Sequence, residues 1–356
     1  MTAGTVRLPT VWQMEMHFAT VWESIADAIP DTPAVTTGDT TRTWAEYDNR
    51  GARMAQAFTA AGLGPDSKVA LFMYNGNEYM EAHYGVFKMR GVAVNVNYRY
   101  LDEELWYLLD NSDSEAIVFH ASLADRVARV VDRLPNLKLL SVVDDLLDGE
   151  EWVDVPGAQA YEDVIAAHEP MERIERREDD MYMLYTGGTT GMPKGVMWPH
   201  KNVFFAAMGG GGWFHPDGAI TAPEHIADRV GDFPIVGMAL APLMHGACWW
   251  YACIQLLAGN TVVLNPARSL VGEEIWDIVA REKVNAITIV GDAMAVPLLD
   301  ALDANPGRWD LSSVFNIGSG GAVFSESKQE AFRQQVQHEK AEAPERALFI
   351  GGKSMG

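Results

Sequence analysis

The sequence predicts an α/β protein of two βαβ-type lobes, with mainly parallel sheets covered by helices. Short β-rich apolar runs alternate along the chain with segments of helical periodicity, and this alternation is typical of parallel βαβ units. The chain has 356 residues, and at about 150 residues per domain this length indicates two or three lobes. We expect a first lobe at residues 1–180 and a second lobe at residues 181–356.

The predicted strands are short apolar runs separated by helical patterns. In chain order they are residues 69–74, 116–120, 139–143, 261–264, 286–290 and 314–317. A charge-dense stretch at residues 169–180 lies between the third and fourth of these strands. It is predicted to be an exposed linker or a surface helix, and we therefore place the boundary between the lobes near residue 180.

Two helices of the first lobe are predicted from their capping residues. A capping-box pattern at Thr43 and Glu46 opens one helix, which Gly62 closes, and a similar pattern at Ser122 and Asp125 opens another. The apolar positions that these helices would bury are Trp44, Tyr47, Met54 and Phe58 in the first, and Val127, Val130, Val131 and Leu134 in the second.

One stretch of the second lobe, residues 233–267, contains no Lys, Arg, Asp or Glu. Pro242 and His245 interrupt it, and the uninterrupted helical candidate at residues 246–258 would be roughly 20 Å long. A membrane span needs about 30 Å, so this segment is predicted to be a buried core helix. No transmembrane segment is expected.

Composition excludes several classes of function. The chain has 27 Lys and Arg against 49 Asp and Glu, a net charge of −22, and so acidic a protein does not attract nucleic acid or anionic lipid surfaces. The two cysteines, Cys248 and Cys253, suggest neither a disulfide framework nor a zinc site. The N-terminus lacks the pattern of a signal or transit peptide. These features predict a cytoplasmic protein, and no metal ligand is assigned.

The segment with the clearest chemistry is Tyr185-Thr186-Gly187-Gly188-Thr189-Thr190-Gly191-Met192-Pro193-Lys194-Gly195. Glycines allow tight turns that bring backbone N–H groups close to an anion, threonines add hydroxyl donors, and the lysine adds a positive charge. These are the parts of a phosphate-binding loop, although an ordinary Gly/Thr-rich turn is the alternative. Neither this segment nor the Gly-Lys-Ser at 352–354 fits the Walker A spacing, which removes P-loop kinases and GTPases.

Residues 183–194 fit the signature of the AMP-forming adenylate enzymes, a superfamily that includes acyl-CoA synthetases, peptide-synthetase adenylation domains and luciferases. Further segments resemble the same family over roughly residues 15 to 330, and the strongest likeness is to actinobacterial fatty-acyl-CoA synthetases. They are Thr43-Trp44-Ala45-Glu46-Tyr47, Asn97-Tyr98-Arg99-Tyr100 through Glu104-Leu105, residues 195–202, Ala241-Pro242-Leu243-Met244-His245-Gly246, and Gly318-Ser319-Gly320-Gly321-Ala322.

This resemblance implies the large N-terminal domain of the adenylate-forming fold and a two-step reaction. A carboxylate attacks the α-phosphorus of ATP and expels pyrophosphate, and the thiol of CoA then displaces AMP. Negative charge spreads over phosphoryl oxygens in the first step, which calls for positioned donors and Mg²⁺. ATP, Mg²⁺ and CoA are therefore the expected cofactors and substrates, and the acid is expected to be a fatty or sterol-side-chain acid.

The resemblance also implies roles for individual residues. Lys194 is the charged member of the set that would hold the β- and γ-phosphates, and His245 would line the approach of carboxylate and thiol, with a satisfied core histidine as its alternative. His200 is interpreted as a helix-start residue. Trp213, Trp249 and Trp250 could either wall an acyl tunnel or pack in the core. The implied nucleotide-binding set is Thr186, Gly187, Gly188, Thr189, Thr190, Gly191, Lys194, Gly320, Gly321 and Ala322.

The C-terminal end departs from the family pattern. Members carry an aromatic-Gly-x-[Ser/Thr]-Glu motif, a later ribose-binding Asp and a small C-terminal lobe, whereas residues 347–356 read Ala-Leu-Phe-Ile-Gly-Gly-Lys-Ser-Met-Gly. Residues 334–346 are polar nearly all round and, beyond Val336, lack an apolar stripe. We expect that the large domain is incomplete, that the small lobe is absent, and that the reading frame is altered or truncated near residues 333–345. Translating the DNA downstream in the other two frames tests this.

Four interpretations stay open at this point. The parent protein would activate an acid as its CoA thioester while this chain alone is inactive, or the protein would be an acyl-AMP ligase that does not use CoA. Alternatively, the chain is a non-catalytic fragment that binds nucleotide or acyl groups, or a remnant without a ligand. An uncovered apolar face of the second lobe would favour a homodimer.

Overall fold

The structure, a computed structural model, describes residues 15–187, 191–213, 215–231, 234–338 and 349–352. Its strands, numbered in chain order, are β1 (Pro33–Thr37), β2 (Thr40–Thr43), β3 (Lys68–Phe72), β4 (Val92–Asn95), β5 (Ser114–His120), β6 (Leu139–Val143), β7 (Ala158–Ala160), β8 (Met181–Thr186), β9 (Lys194–Pro199), β10 (Val236–Ala239), β11 (Thr261–Leu264), β12 (Ala286–Ile289), β13 (Asn316–Ser319) and β14 (Phe349–Gly352). Its α-helices are α1 (Phe18–Ala28), α2 (Trp44–Ala60), α3 (Asn77–Lys88), α4 (Asp102–Asn111), α5 (Ala124–Val130), α6 (Tyr161–Ala167), α7 (His200–Ala206), α8 (Gly246–Leu257), α9 (Gly272–Arg281), α10 (Gly291–Ala304) and α11 (Glu326–His338).

The larger sheet has the strand order β14-β13-β12-β10-β11-β1-β2 within the described residues. Its pairs are parallel except for the β1–β2 hairpin. In register, Val35 of β1 lies opposite Val262 of β11, so strands from before residue 180 join strands from after it. The boundary near 180 stays a prediction for the domains, but it does not separate the two sheets.

The second sheet has the order β4-β3-β5-β6-β7 and is parallel throughout. A third, two-stranded sheet is the antiparallel hairpin of β8 and β9, in which Thr186 lies opposite Lys194. This architecture confirms the predicted α/β class with mainly parallel sheets. Predicted strands 139–143 and 261–264 coincide with β6 and β11.

A large apolar core joins α1, α2 and α3 to α8. Trp22, Trp44 and Trp249 lie in it with almost no exposure. The predicted core helix therefore exists as α8, and within the described ranges no helix has both the length and the apolar character needed to cross a membrane. Because α8 is packed into this core, the position of its first residues is fixed.

The two predicted capping boxes have different outcomes. The first is confirmed, because the backbone N–H of Glu46 donates to Thr43 Oγ1 at 3.2 Å and that of Thr43 donates to Glu46 Oε2 at 2.9 Å. The second is wrong. The hydroxyl of Ser122 donates to Asp145 Oδ2 at 2.6 Å instead, and α5 begins at Ala124 without a side-chain cap. The Ser122 hydroxyl that was expected to cap the helix is instead bonded to a residue distant in sequence.

The prediction of an exposed linker at residues 169–180 is confirmed in part, because most of the segment is exposed and non-helical but two of its charged residues are not exposed. This segment, which we call the strap, is neither a helix nor uniformly exposed, since Arg176 and Asp180 are buried. The guanidinium of Arg176 donates to both carboxylate oxygens of Glu23, at 2.7 and 2.8 Å, and the Lys88 ammonium donates to Glu23 at 2.7 Å. Arg176 therefore has a buried partner on α1, whereas most of the other charged side chains of the strap are exposed.

Candidate functional site

The predicted phosphate loop connects the two strands of the β8–β9 hairpin. Thr186 ends β8 and Lys194 begins β9, and both side chains are exposed. A Cβ atom built on Gly187 or Gly191 would meet no atom within 4 Å, so space is open on that side of both glycines. Lys194 forms no ion pair with another described residue. The remaining predicted members, Gly188, Thr189 and Thr190, lie outside the described residues.

The base of the hairpin is tightly packed. A Cβ on Gly195 would lie 2.9 Å from the Tyr185 ring and 3.0 Å from the Met183 sulfur, closer than a real side chain tolerates. The Tyr185 hydroxyl donates to Asn111 Oδ1 at 2.9 Å. The loop therefore has a tightly packed base, while Gly187 and Gly191 face open space.

His245 lies at the N-cap position of α8, directly after the segment that leaves β10. Its backbone carbonyl accepts hydrogen bonds from the N–H groups of Cys248 and Trp249. The side chain reaches the surface, yet desolvation by its neighbours and the charge of Arg99 lower the pKa of the imidazole below its ordinary value of 6.5. His245 is therefore neutral at pH 7 and carries both a donor and an acceptor.

The start of α8 contacts the strand that leads into the phosphate loop. A Cβ on Gly246 would lie 2.6 Å from Leu184 Cδ2, so the glycine permits a close approach of helix and strand. Helix N-termini present free backbone N–H groups and the positive end of the helix dipole, which favour an anion. The strand that leads into the loop therefore lies against such a helix end.

The predicted Gly-Gly-Ala turn follows β13. Gly321 has φ +84°, a conformation that favours glycine, and a Cβ on it would lie 3.6 Å from that of Ala247, the second residue of α8. Ala322 packs against Gly291, whose own added Cβ would come within 2.8 Å of it. The turn therefore borders the start of α8, at the residue after the one that the hairpin strand contacts. Hairpin, His245 and turn meet around one helix end.

Sequence comparison decides the family. A profile described as AMP-binding enzyme matches residues 22–343, which is most of the chain. The chain belongs to the AMP-binding enzyme family.

Relatives among characterised AMP-binding enzymes are similar along most of this chain. It is 37% identical over 325 residues to the 3-oxocholest-4-en-26-oate–CoA ligase of Rhodococcus rhodochrous, covering 90% of this chain and 58% of the relative. It is 36% identical to a medium/long-chain-fatty-acid–CoA/3-oxocholest-4-en-26-oate–CoA ligase of Mycobacterium tuberculosis, covering 88% and 57%. The chain thus spans a little over half the length of these relatives.

Solved structures of the family have the same fold. A long-chain-fatty-acid–CoA ligase from Archaeoglobus fulgidus superposes with a TM-score of 0.75 at 17% identity, covering 99% of this chain and 67% of that one. An anthranilate–CoA ligase in complex with anthranoyl-AMP gives 0.74 at 18% identity, with 92% and 58% coverage. At such identities the likeness establishes the fold alone, and it confirms the predicted adenylate-forming N-terminal domain.

Two residues of this AMP-binding chain that sequence reasoning missed are Asn75 and Asn95. They lie at or just beyond the carboxyl ends of the parallel neighbours β3 and β4. Both side-chain amides donate hydrogen bonds to backbone carbonyls of the segment before His245. The sequence feature that could have identified them is a polar amide at or shortly after the end of an apolar strand. The carboxyl ends of parallel strands are where ligands bind in such sheets.

The other predicted residues have mixed placements. His200 is the first residue of α7, as predicted, and it is fully buried and stacked on His17 with ring centroids 3.9 Å apart. Trp249 is buried and stacked on His83, Trp250 donates through Nε1 to the Tyr182 hydroxyl at 2.9 Å, and Trp213 is exposed. Trp249 is therefore a core residue.

The described ranges contain no group of three His, Cys, Asp or Glu side chains arranged to hold a metal ion. Mg²⁺ commonly binds through one or two carboxylates together with substrate phosphates. The described side chains do not by themselves fit a resident metal.

Proposed function

We propose that this chain is the nucleotide-binding portion of an enzyme that activates a carboxylic acid with ATP as an acyl adenylate. In the complete protein the acyl group would then pass to CoA. The observation that carries the proposal is that strand β8, which leads into the loop, meets His245 and the Gly-Gly-Ala turn at the start of α8. The substrate class follows the names of the relatives, which are ligases for fatty acids or a sterol-derived acid.

In this reaction a carboxylate oxygen bonds to the α-phosphorus of ATP while the bond to pyrophosphate breaks. Charge accumulates on the departing phosphoryl oxygens, where N–H groups, hydroxyls and an ammonium group stabilise it most. We assign this role to the loop from Thr186 to Lys194, including Gly188, Thr189, Thr190 and Gly191. The open space beside Gly187 and Gly191 supports the assignment.

We assign His245 to the approach of the carboxylate and the thiol. A neutral imidazole next to the phosphate site can position a carboxylate by donating a hydrogen bond without itself competing as a cation for the phosphates. Gly320, Gly321 and Ala322 would pass the backbone alongside the acyl and adenine groups. Mg²⁺ would accompany the nucleotide and shield its phosphate charge.

The chain alone is proposed to be inactive in the full reaction. No Glu follows Gly352, since the sequence continues Lys-Ser-Met-Gly, and the family motif requires one there. An acyl-AMP ligase that stops before CoA, or a non-catalytic fragment that binds nucleotide or acyl groups, are the alternatives. We also propose a cytoplasmic location and a homodimer, the latter because Val196 and Met197 are exposed on β9.

The test is pyrophosphate exchange into ATP that depends on added carboxylic acid. We expect none from this chain and robust exchange from the Rhodococcus relative assayed in parallel as the positive control. Robust exchange by this chain would contradict its proposed inactivity. A hydrolysis-resistant acyl-sulfamoyl adenosine, at 100 times its dissociation constant, should stabilise the chain by about 2.7 kcal/mol. No stabilisation at saturating concentration would contradict the nucleotide-binding role.

A further inference from the structure

Asn95 joins two segments of the site that are far apart in sequence. Its amide Nδ2 donates to the carbonyl of Tyr185 at 3.0 Å and to that of Met244 at 2.6 Å, and its Oδ1 accepts from the N–H of Tyr185 at 2.7 Å. Tyr185 precedes the first loop residue, Thr186, and Met244 precedes His245. One buried side chain therefore contacts the backbone immediately before the loop and immediately before His245.

Asn75 makes a similar contact with the segment before His245. Its Nδ2 donates to the carbonyl of Ala241 at 3.0 Å and its Oδ1 accepts from the N–H of Leu243 at 2.8 Å. The Tyr79 hydroxyl adds a weaker bond to the carbonyl of Leu243 at 3.4 Å. The segment is held at several successive points by residues that follow or lie near β3 and β4.

The chemistry at position 95 requires an amide. An Asn side chain supplies two N–H donors and a carbonyl acceptor, which is what Tyr185 and Met244 use here. An Asp has nearly the same shape but, when ionised, only accepts, so it would leave two buried carbonyls without donors and place a negative charge beside the phosphate site. An Ala would remove all three bonds and leave the space empty.

We propose that Asn95 is a positioning residue that fixes the position of the phosphate loop relative to His245. The inference rests on the proposed function, because this relative position matters only if both segments act on one substrate. A misplacement of about 1 Å between reacting groups costs roughly a hundredfold in rate. Asn95 acts through the backbone of Tyr185 and Met244 and touches no substrate itself.

The test compares Asn95→Asp and Asn95→Ala with the wild type and with Asn260→Asp. Asn260 is a matched control because it is a buried amide that donates to Gln255 Oε1 and accepts from the Ile235 N–H, away from the loop. Two quantities are measured in the full 356-residue chain. One is the affinity for an acyl-sulfamoyl adenosine by calorimetry, and the other is the pKa of His245 by NMR of labelled histidine, assigned with His245→Gln.

Both Asn95 variants should weaken binding by about tenfold or more, the loss expected from one buried group without its partner. The pKa of His245 should rise toward 6.5, because a displaced ring is more exposed to water and lies further from the charge of Arg99. Asn260→Asp should change neither. A merely structural role would lower the thermal midpoint of all three variants without moving His245.

The outcomes separate the two proposals. If the wild type binds and the Asn95→Ala variant binds equally well, or leaves the pKa of His245 unchanged, the positioning role is overturned and the proposed function stands. If the wild type does not bind, the proposed function fails. In that case the pKa of His245 alone tests the role of Asn95. A changed pKa in Asn95→Ala supports the coupling of the loop to the segment before His245, and an unchanged pKa overturns it. Should Asn95→Asp not fold, Asn95→Ala carries both measurements.

Discussion

The strap region and the loop region use charged groups in opposite ways. At the strap, Glu23, Lys88 and Arg176 are all buried, and each is paired at 2.7 Å. At the loop, Lys194 is exposed and has no ion-pair partner among the described residues, and the imidazole of His245 is also exposed. The first arrangement satisfies every charge within the protein, whereas the second leaves donors available to a ligand.

Pairing within the protein therefore distinguishes structural polar residues from functional ones in this chain. Burial alone would raise the pKa of Glu23, but Lys88 and Arg176 outweigh it and hold the pKa below its ordinary value. The strap charges are therefore committed to the fold. Changes at the strap should alter stability and leave ligand binding intact, while changes at the loop should do the reverse.

The largest expected effect is at Glu23. Glu23→Ala leaves Arg176 buried without its carboxylate and leaves Lys88 paired with Asp48 alone, and removing one partner of a buried pair costs about 3–5 kcal/mol. Urea unfolding should show this loss. The control is Glu103→Gln at the exposed pair with Arg133, which should leave the midpoint unchanged. Similar losses in both variants would show that burial does not distinguish the two pairs.

A methyl group should be tolerated differently in the two regions. A Cβ on Gly85 of α3 would lie 2.9 Å from the carbonyl oxygen of Gly51 and from Met54 Cβ in α2, so Gly85→Ala should lose about 1–3 kcal/mol in urea unfolding. Gly187 faces open space, so Gly187→Ala should unfold like the wild type. A destabilised Gly187→Ala would mean that the loop is packed like the core.

The buried histidines next to the strap should make stability depend on pH. Burial, together with the charge of Arg176, lowers the pKa of His200 to about 3, and burial lowers that of His17 with help from His200, Arg176 and Arg90. The unfolded chain therefore binds more protons below its ordinary pKa of about 6.5, and stability falls with decreasing pH between 6.5 and 3. The free energy of unfolding should change with pH at nearly the rate expected when one additional proton binds to His200 on unfolding.

Urea unfolding at pH 7.5, 6 and 5 measures that slope. His200→Asn should give a flatter dependence than the wild type, whatever its absolute stability. His245→Asn is the control from the loop region, because its smaller pKa shift should change the slope less. Equal slopes in wild type and His200→Asn would contradict a neutral buried His200.

Local patterns predicted much of the fold. The strands at 139–143 and 261–264 and the capping box at Thr43 depend on neighbouring residues only, and the structure has them as expected. Long-range partners could not be predicted in the same way. Nothing near Ser122 indicates that Asp145 takes its hydroxyl, and the strap does not reveal that Glu23 lies beneath it.

The candidate site shows the same limit. The motif residues Lys194, His245 and Gly321 could be named from the sequence because the segments that contain them resemble motifs of a known family. Asn95 could not, because its role depends on Tyr185 and Met244, which lie 90 and 149 residues further along the chain. The pairing of β1 with β11 was missed for the same reason, since a strand near the N-terminus gives no sign of the sheet that it joins.

The most direct measurement is an ATP titration of the wild type, Lys194→Met and Lys201→Met by calorimetry. Lys201 is a matched control, because it is an exposed lysine of α7 paired with Glu178 at 2.7 Å. If the hairpin loop holds the phosphates, the wild type and Lys201→Met bind ATP alike and Lys194→Met binds at least about tenfold more weakly, as for a lost charge-assisted hydrogen bond. Equal affinity in all three proteins, or no binding by any, would contradict the account.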